Sequence, residues 1–175
     1  MFNLWNFVAY QCAWFAVILG AAHGMPQAGA AVAVVLVAVH LALRRERAEW
    51  RLIAAAVIAG VVVDSALVIS GKVQFASAWP PSFAPFWMLS LWMAFATTLN
   101  HSLRWLMTRP LAAAAAGAIG GPLAYLAGAR LGALTLVEPG VGLTLIAVLW
   151  ALALGALAMV VLHAPGMPRA RRQPA

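Results

Sequence analysis

The chain has 175 residues, of which 65% are hydrophobic and only 9% are charged, and its formal net charge is +7. A soluble domain carries about 25% charged residues, so this chain cannot cover a water-facing surface and must use lipid as the solvent for most of its residues. Its basic residues stand at the ends of apolar runs and form no amphipathic basic face, which excludes nucleic acid as a partner. A single cysteine, Cys12, excludes a disulfide framework within one chain.

Apolar runs separated by charged or turn-forming stretches predict an all-α polytopic transmembrane bundle of six helices. In chain order the predicted helices cover about 4–22, 28–43, 52–70, 86–107, 111–131 and 141–163. We expect residues 1–163 to form one transmembrane domain. Residues 164–175 are basic and contain proline, which predicts a mobile cytoplasmic tail.

Basic residues are distributed unevenly between the two ends of such a bundle. Nine arginines fall at one end, namely Arg44, Arg45, Arg47, Arg51, Arg104, Arg109, Arg169, Arg171 and Arg172. Only Lys72 and Arg130 fall at the other end. The positive-inside rule places the nine in the cytoplasm. We therefore expect both termini on the cytoplasmic side of a bacterial inner membrane.

The fourth predicted helix carries the densest polar cluster of the chain, at residues 97–104. Asn100, His101 and Arg104 share a face of this helix, and Gln11 of the first helix lies at a similar depth by a rise of about 1.5 Å per residue. Lipid would not tolerate this face, so these four residues are our predicted ligand-binding site, with Arg104 as the contact for an anionic headgroup. The alternative is that they form interhelical hydrogen bonds only.

Asp64 is the only acidic residue inside an apolar run. An intramembrane carboxyl group must be protonated, paired or next to water, which makes Asp64 a candidate proton or ion site. The alternative is a carboxyl group that only holds helices together. An enzyme using Asp64 and His101 as acid and base is ranked last, because their expected depths differ by about 10 Å.

Small residues and histidines mark two further features. Four glycines of the fifth predicted helix lie on one face and predict close helix packing: Gly117, Gly121, Gly128 and Gly132. Three histidines, His40, His101 and His163, lie near the cytoplasmic ends of different helices, as a bis-histidine haem or a metal site requires. No spacing motif supports either group, so we expect no haem and no metal.

Several stretches resemble a known family. They are residues 6–15, Asp64-Ser65, the run from Ala84 to Met88, the run from Thr97 to Ser102, and residues 120–125. Over about residues 3–160, the chain is similar to an uncharacterised family of small multi-pass bacterial inner-membrane proteins, a domain-of-unknown-function family. The resemblance implies a multi-pass fold with no established activity. It also implies an association with lipid-modifying genes, such as those similar to cyclopropane-fatty-acid synthases.

The leading hypothesis is a membrane protein that binds a lipid or apolar ligand or supports membrane-lipid metabolism, alone, as a homo-oligomer or with a membrane-enzyme partner. The alternative is a small proton-coupled transporter that uses Asp64, with His101 as a relay. An intramembrane enzyme is the third hypothesis. Whether the protein is an enzyme is left open by the sequence.

Overall fold

The computed structural model describes residues 2–44 and 46–163. Its helices are α1 (Phe2–Ala22), α2 (Pro26–Leu43), α3 (Arg47–Ile69), α4 (Phe86–Leu99), α5 (Arg104–Met107), α6 (Pro110–Arg130) and α7 (Pro139–His163). The predicted all-α helix bundle is confirmed. The predicted tail, 164–175, lies outside the described residues.

Five of these helices, α1, α2, α3, α6 and α7, are long and apolar enough to cross a membrane. With 18 to 25 residues each, they extend about 27–38 Å at 1.5 Å per residue, against a hydrocarbon core of about 30 Å. α4 has only 14 residues and extends about 21 Å, so it is too short to span by itself. Eleven of its 14 residues are buried, and α1, α2 and α3 all pack against it. α4 is therefore the core of the bundle.

The predicted helix 86–107 is interrupted, which raises the helix count among the described residues from the expected six to seven. Residues 100–103 form a turn, in which the amide of Leu103 returns to the carbonyl of Thr98 at 2.9 Å. The hydroxyl groups of Thr97 and Thr98 donate to carbonyls one turn back. Such bonds, and an Asn100 side chain that bonds to another helix, compete with continuation of the helix.

The charged run 44–51, expected to separate helices, is mostly the first turns of α3. This helix begins at Arg47 rather than near Leu52, so only residues 44–46 connect it to α2. We call the end of the bundle where α2 ends and α3, α5 and α6 begin the arginine-rich end. It carries Arg44, Arg47, Arg51, Arg104 and Arg109.

The opposite end is closed by two short strands that the sequence did not predict. β1 (Val73–Phe75) pairs antiparallel with β2 (Leu134–Leu136), with Gln74 opposite Thr135. Beside them, Lys72 Nζ donates to Glu138 Oε1 at 2.8 Å. These strands join the connection after α3 to the connection between α6 and α7.

Candidate functional site

Glu49 is the centre of a buried polar cluster at the arginine-rich end. Its side chain is 2% exposed. One oxygen, Oε2, lies 3.1 Å from His40 Nε2. The other, Oε1, lies 3.2 Å from His101 Nε2 and accepts a hydrogen bond of 3.1 Å from Asn100 Nδ2. The carboxylate therefore joins three side chains from two segments of the chain, the end of α2 and the turn after α4.

The local fold explains why these residues meet. His40 lies in the last turn of α2 and Glu49 in the first turn of α3, and the connection of residues 44–46 keeps the two close. Since α4 ends at Leu99, Asn100 and His101 lie in the turn that follows and face the same end of the bundle. The imidazole rings of His40 and His101 have centroids 5.0 Å apart.

Phe2 covers this cluster from α1. Its ring centroid lies 6.1 Å from the ring of His40 and 5.1 Å from that of His101. The guanidinium carbon of Arg44 lies 3.7 Å from the centroid of the Phe2 ring. This distance is that of a cation–π contact, so a positive charge lies over the ring that covers the cluster.

The contribution of α1 differs from the one predicted. Asn6 donates to the carbonyl of Thr97 at 3.1 Å and accepts from the hydroxyl of Ser102 at 2.8 Å, so it fixes the end of α4. Gln11 lies more than one turn further along α1 and is half-buried. Arg104 is half-buried at the start of α5. Of the four predicted ligand residues, only Asn100 and His101 are shown to contact the same group, which is Oε1 of Glu49.

Three side chains in this cluster could hold a metal ion. The ligand atoms of His40, Glu49 and His101 lie within 4.8 Å of one another. From the sequence, His40, His101 and His163 were considered together as a haem or metal site that we did not expect to exist. The Nδ1 of His163 bonds the carbonyl of Met159 at 2.8 Å, at an exposed position, and the structure groups the other two histidines with Glu49.

Asp64 lies far from this cluster, on the opposite half of α3. It is 0% exposed, and at 1.5 Å per residue it is about 26 Å from the start of the helix. Trp92 Nε1 donates to Oδ2 at 2.8 Å, and the hydroxyl of Tyr125 donates to Oδ1. Asp64 therefore ties α3 to both α4 and α6.

Trp92 and Tyr125 also form part of an aromatic cavity of about 30 Å³. Its lining includes six aromatic side chains: Tyr10, Trp14, Trp92, Phe95, Tyr125 and Trp150. The indole rings of Trp92 and Trp150 are stacked, with centroids 4.7 Å apart. The Nε1 of Trp150 is buried and lies near the hydroxyl of Tyr125, but it makes no hydrogen bond of good geometry with a described residue. The cavity wall therefore contains a donor that is only weakly satisfied.

Two of the predicted packing glycines lie directly against Trp150, where a larger residue would not fit. A Cβ atom at Gly117 would lie 2.4 Å from the carbonyl oxygen of Trp150, and one at Gly121 would lie 2.5 Å from its ring. Gly128 lies against Leu134 of β2. Gly132 follows the end of α6 with a φ of +89°, where glycine is the favoured residue.

Sequence reasoning missed Glu49, Trp92, Tyr125 and Trp150. For Glu49 a signal existed, because it is spaced three, four and seven residues from Leu52, Ile53 and Ala56, the buried face of α3. The three aromatic residues carry no such signal, since aromatic side chains facing lipid and facing the core look alike in a sequence.

Comparisons with known proteins place the chain in a family. No curated protein and no solved structure matches it. One family model matches residues 3–156, which is nearly the span over which the sequence resembles an uncharacterised family. The chain therefore belongs to the family described as "Protein of unknown function (DUF2878)".

Proposed function

We propose that this protein is a membrane-embedded binding protein for a lipid whose slim apolar chain carries an oxygen acceptor. The aromatic cavity is the binding site. The observation that carries the proposal is the buried Nε1 of Trp150 in this aromatic lining, which makes no hydrogen bond of good geometry and has only the Tyr125 hydroxyl nearby. A buried donor without any partner costs roughly 1–3 kcal/mol, so a ligand oxygen that improves this weak contact recovers part of that cost.

The walls favour an apolar chain. Their aromatic faces offer dispersion contacts and no charge. Each oxygen of Asp64 already accepts a hydrogen bond, from Trp92 or from Tyr125, so Asp64 offers no free acceptor to a ligand. A volume of about 30 Å³ has room for about one methylene group, so a longer part of an apolar chain enters only if side chains of the lining move apart. In this proposal the polar contact with the ligand is made by Trp150.

A route from the bilayer supports the same proposal. The cavity lies between α1 and α6, over the buried face of α4. Four of its lining residues are only half-buried and form its rim: Tyr10, Trp14, Ala124 and Trp150. In a bilayer this rim faces lipid tails, so the ligand enters laterally. The surrounding membrane is the bacterial inner membrane in this proposal, with the arginine-rich end in the cytoplasm.

The test is native mass spectrometry with lipid analysis of the purified full chain. We expect the wild-type protein to retain one class of acyl or isoprenoid lipid above its share of the surrounding membrane. Trp150→Phe removes the N–H donor and should weaken retention by up to about ten-fold, the value of one hydrogen bond. Ala124→Phe should block the rim. Trp105→Phe is the matched control, because Trp105 is 63% exposed and lies outside the cavity lining.

Two results would reject the proposal. One is a lipid content of the wild-type protein that merely mirrors the membrane. The other is unchanged retention in both Trp150→Phe and Ala124→Phe, when both variants elute as folded protein.

Proton-coupled transport through Asp64 is the second candidate. It is favoured by the hydroxyl of Tyr125, which lines the cavity and bonds Asp64, and so could pass a proton between them. It is disfavoured by the two donors that already occupy the carboxylate oxygens. We therefore assign Asp64 a positioning role for the Trp92 and Tyr125 rings.

A further inference from the structure

We propose that His40, Glu49 and His101 form a binding site for a first-row divalent transition-metal ion at the arginine-rich end of the bundle. Two imidazole nitrogens and one carboxylate are a donor set that zinc(II) and iron(II) accept readily, commonly with a further position left to water or substrate. The site is separate from the aromatic cavity, and the proposal does not depend on the lipid ligand.

The ligand atoms are close to the arrangement a metal requires. With bonds of about 2.0–2.1 Å, a tetrahedral ion holds its ligand atoms roughly 3.4 Å apart. The two nitrogen–oxygen distances to Glu49 are 3.1 Å, to Oε2, and 3.2 Å, to Oε1, and with a single oxygen as ligand no separation exceeds 4.8 Å. The third separation, between the two histidine nitrogens, is at most 4.8 Å. A contraction of roughly 1.4 Å or less would complete the geometry.

The three ligands come from elements that are fixed by other contacts. His40 and Glu49 are 7% and 1% exposed, and the turn that carries His101 is held by Asn6 and Ser102. His101 is the most accessible, with a side chain 14% exposed. Such a site needs little rearrangement on binding, and an ion reaches it from the arginine-rich end past His101.

Asn100 provides a second, independent observation. It is 7% exposed, and its Oδ1 is buried without a hydrogen-bond partner in the described part of the chain, while its Nδ2 donates to Glu49. A half-turn of the carboxamide would place this oxygen beside the Glu49 carboxylate. Two oxygens are stable side by side when a cation lies between them, so the amide is a candidate fourth ligand or the acceptor for a metal-bound water.

The competing explanation is that the cluster is a hydrogen-bonded triad without a metal. In that arrangement both histidines donate Nε2–H to Glu49, and the buried carboxylate needs no ion. That explanation leaves Asn100 Oδ1 unsatisfied. The two explanations differ in one measurable property, which is stoichiometric and saturable affinity for a metal ion.

The experiment uses the full chain in detergent, purified without a polyhistidine tag and stripped with a chelator. Zinc(II) or cobalt(II) alone is then titrated, with stoichiometry from elemental analysis and coordination from the visible spectrum of cobalt. We expect one ion per chain, a cobalt spectrum with nitrogen and oxygen ligands, and a higher Tm on metal addition. Loss of a ligand in His40→Asn, Glu49→Gln or His101→Asn should weaken binding by more than about 100-fold, and Asn100→Ala by about 10–100-fold.

His163→Asn is the matched control, because His163 is an exposed histidine at the same end of the bundle and bonds only its own helix. It should bind metal as the wild-type protein does. If Glu49→Gln fails to fold, the partly exposed His101→Asn and the wild-type titration decide. The proposal is wrong if the wild-type chain binds neither ion stoichiometrically, or if His101→Asn keeps wild-type affinity.

Discussion

Each of the two buried carboxyl groups is hydrogen-bonded by side chains from other parts of the bundle, and none of these partners is a lysine or an arginine. Glu49 is bonded by His40, His101 and Asn100, and Asp64 by Trp92 and Tyr125. α3 contributes both carboxylates, one near each end. A buried carboxylate is stable only when its oxygens are satisfied, so α3 can be placed in the bundle only where both sets of donors reach it.

The role of Asp64 can be tested by comparing two substitutions. Asp64→Ala leaves the donors of Trp92 and Tyr125 without an acceptor, and should lower the free energy of unfolding by roughly 2–5 kcal/mol. Asp64→Asn keeps an oxygen for Trp92 and offers an N–H to the tyrosine oxygen. It should therefore cost about 1 kcal/mol or less. Unfolding in mixed detergent micelles, followed by circular dichroism, measures both.

Thr144→Val is the control for this pair, because its hydroxyl makes an exposed bond to Gly140. It should change stability by less than about 0.5 kcal/mol. Proton flux in proteoliposomes separates the positioning role from transport. If Asp64→Asn folds normally but abolishes a proton flux seen in the wild-type protein, the positioning role is wrong and the transport hypothesis gains support.

At this scale the sequence indicates which residues are unusual but not which ones meet. Asp64 is conspicuous because a carboxyl group in an apolar run is rare. Its partners are not, because depth along a helix says nothing about which neighbouring helix it faces. Asn100 and His101 were predicted to share a face of a helix, and the structure instead places both in the turn after Leu99, beside Glu49. Glu49 itself was missed because it lies in a charged run that resembles a loop.

Among the elements, α6 provides the sharpest test of packing. Gly117→Ala places a Cβ atom 2.4 Å from the backbone oxygen of Trp150, which cannot rotate away. The helices must separate, and we expect a loss of roughly 1–3 kcal/mol in unfolding free energy. Retention of lipid should fall as well, because Trp150 lines the cavity.

Gly120→Ala is the matched control, since nothing lies within 4 Å of a Cβ atom there. Alanine is favoured over glycine inside a helix by up to about 1 kcal/mol, so this variant should be as stable as wild type or more stable. Equal losses in the two variants would show that α6 does not pack on α7 in this way.

Helix boundaries could be predicted where local sequence alone sets them, and were missed where tertiary contacts change them. Long apolar runs were assigned correctly because their backbone bonds must be satisfied internally in lipid. The break after Leu99 was missed, since its causes are tertiary. They are the bond from Asn100 to Glu49 and the contacts of Ser102 with Asn6. The early start of α3 was missed for a related reason, because burial of Glu49 is a consequence of its distant partners.

For the whole molecule, the orientation in the membrane is the decisive prediction. In a chain with Cys12 replaced by alanine, we introduce one cysteine at Thr108 or at Gly140, two exposed positions at opposite ends of the bundle. A membrane-impermeant maleimide added to intact spheroplasts should label Gly140→Cys and spare Thr108→Cys until the membrane is permeabilised. The reverse pattern would place the arginine-rich end outside the cell.

The fold class was predictable from composition, whereas the arrangement of the helices was not. In water, the apolar face of a helix marks the core. Here large apolar side chains point outward as often as inward, and Leu111 and Leu152 are 88% and 66% exposed. Since lipid tails are as apolar as leucine, the sequence of such a helix does not distinguish its two faces. Only rare polar residues and glycines carry that information.

The burial of α4 has a consequence for how the protein is assembled. A helix of about 21 Å that is enclosed by its neighbours lacks both the length to anchor itself across a bilayer and a surface for lipid. During synthesis α4 can therefore be inserted only against partner helices. Its partners α1, α2 and α3 precede it in the chain, so they are made before it. The last-formed pair, α6 and α7, then closes the remaining side. The order of the helices along the chain is thus also a workable order of insertion.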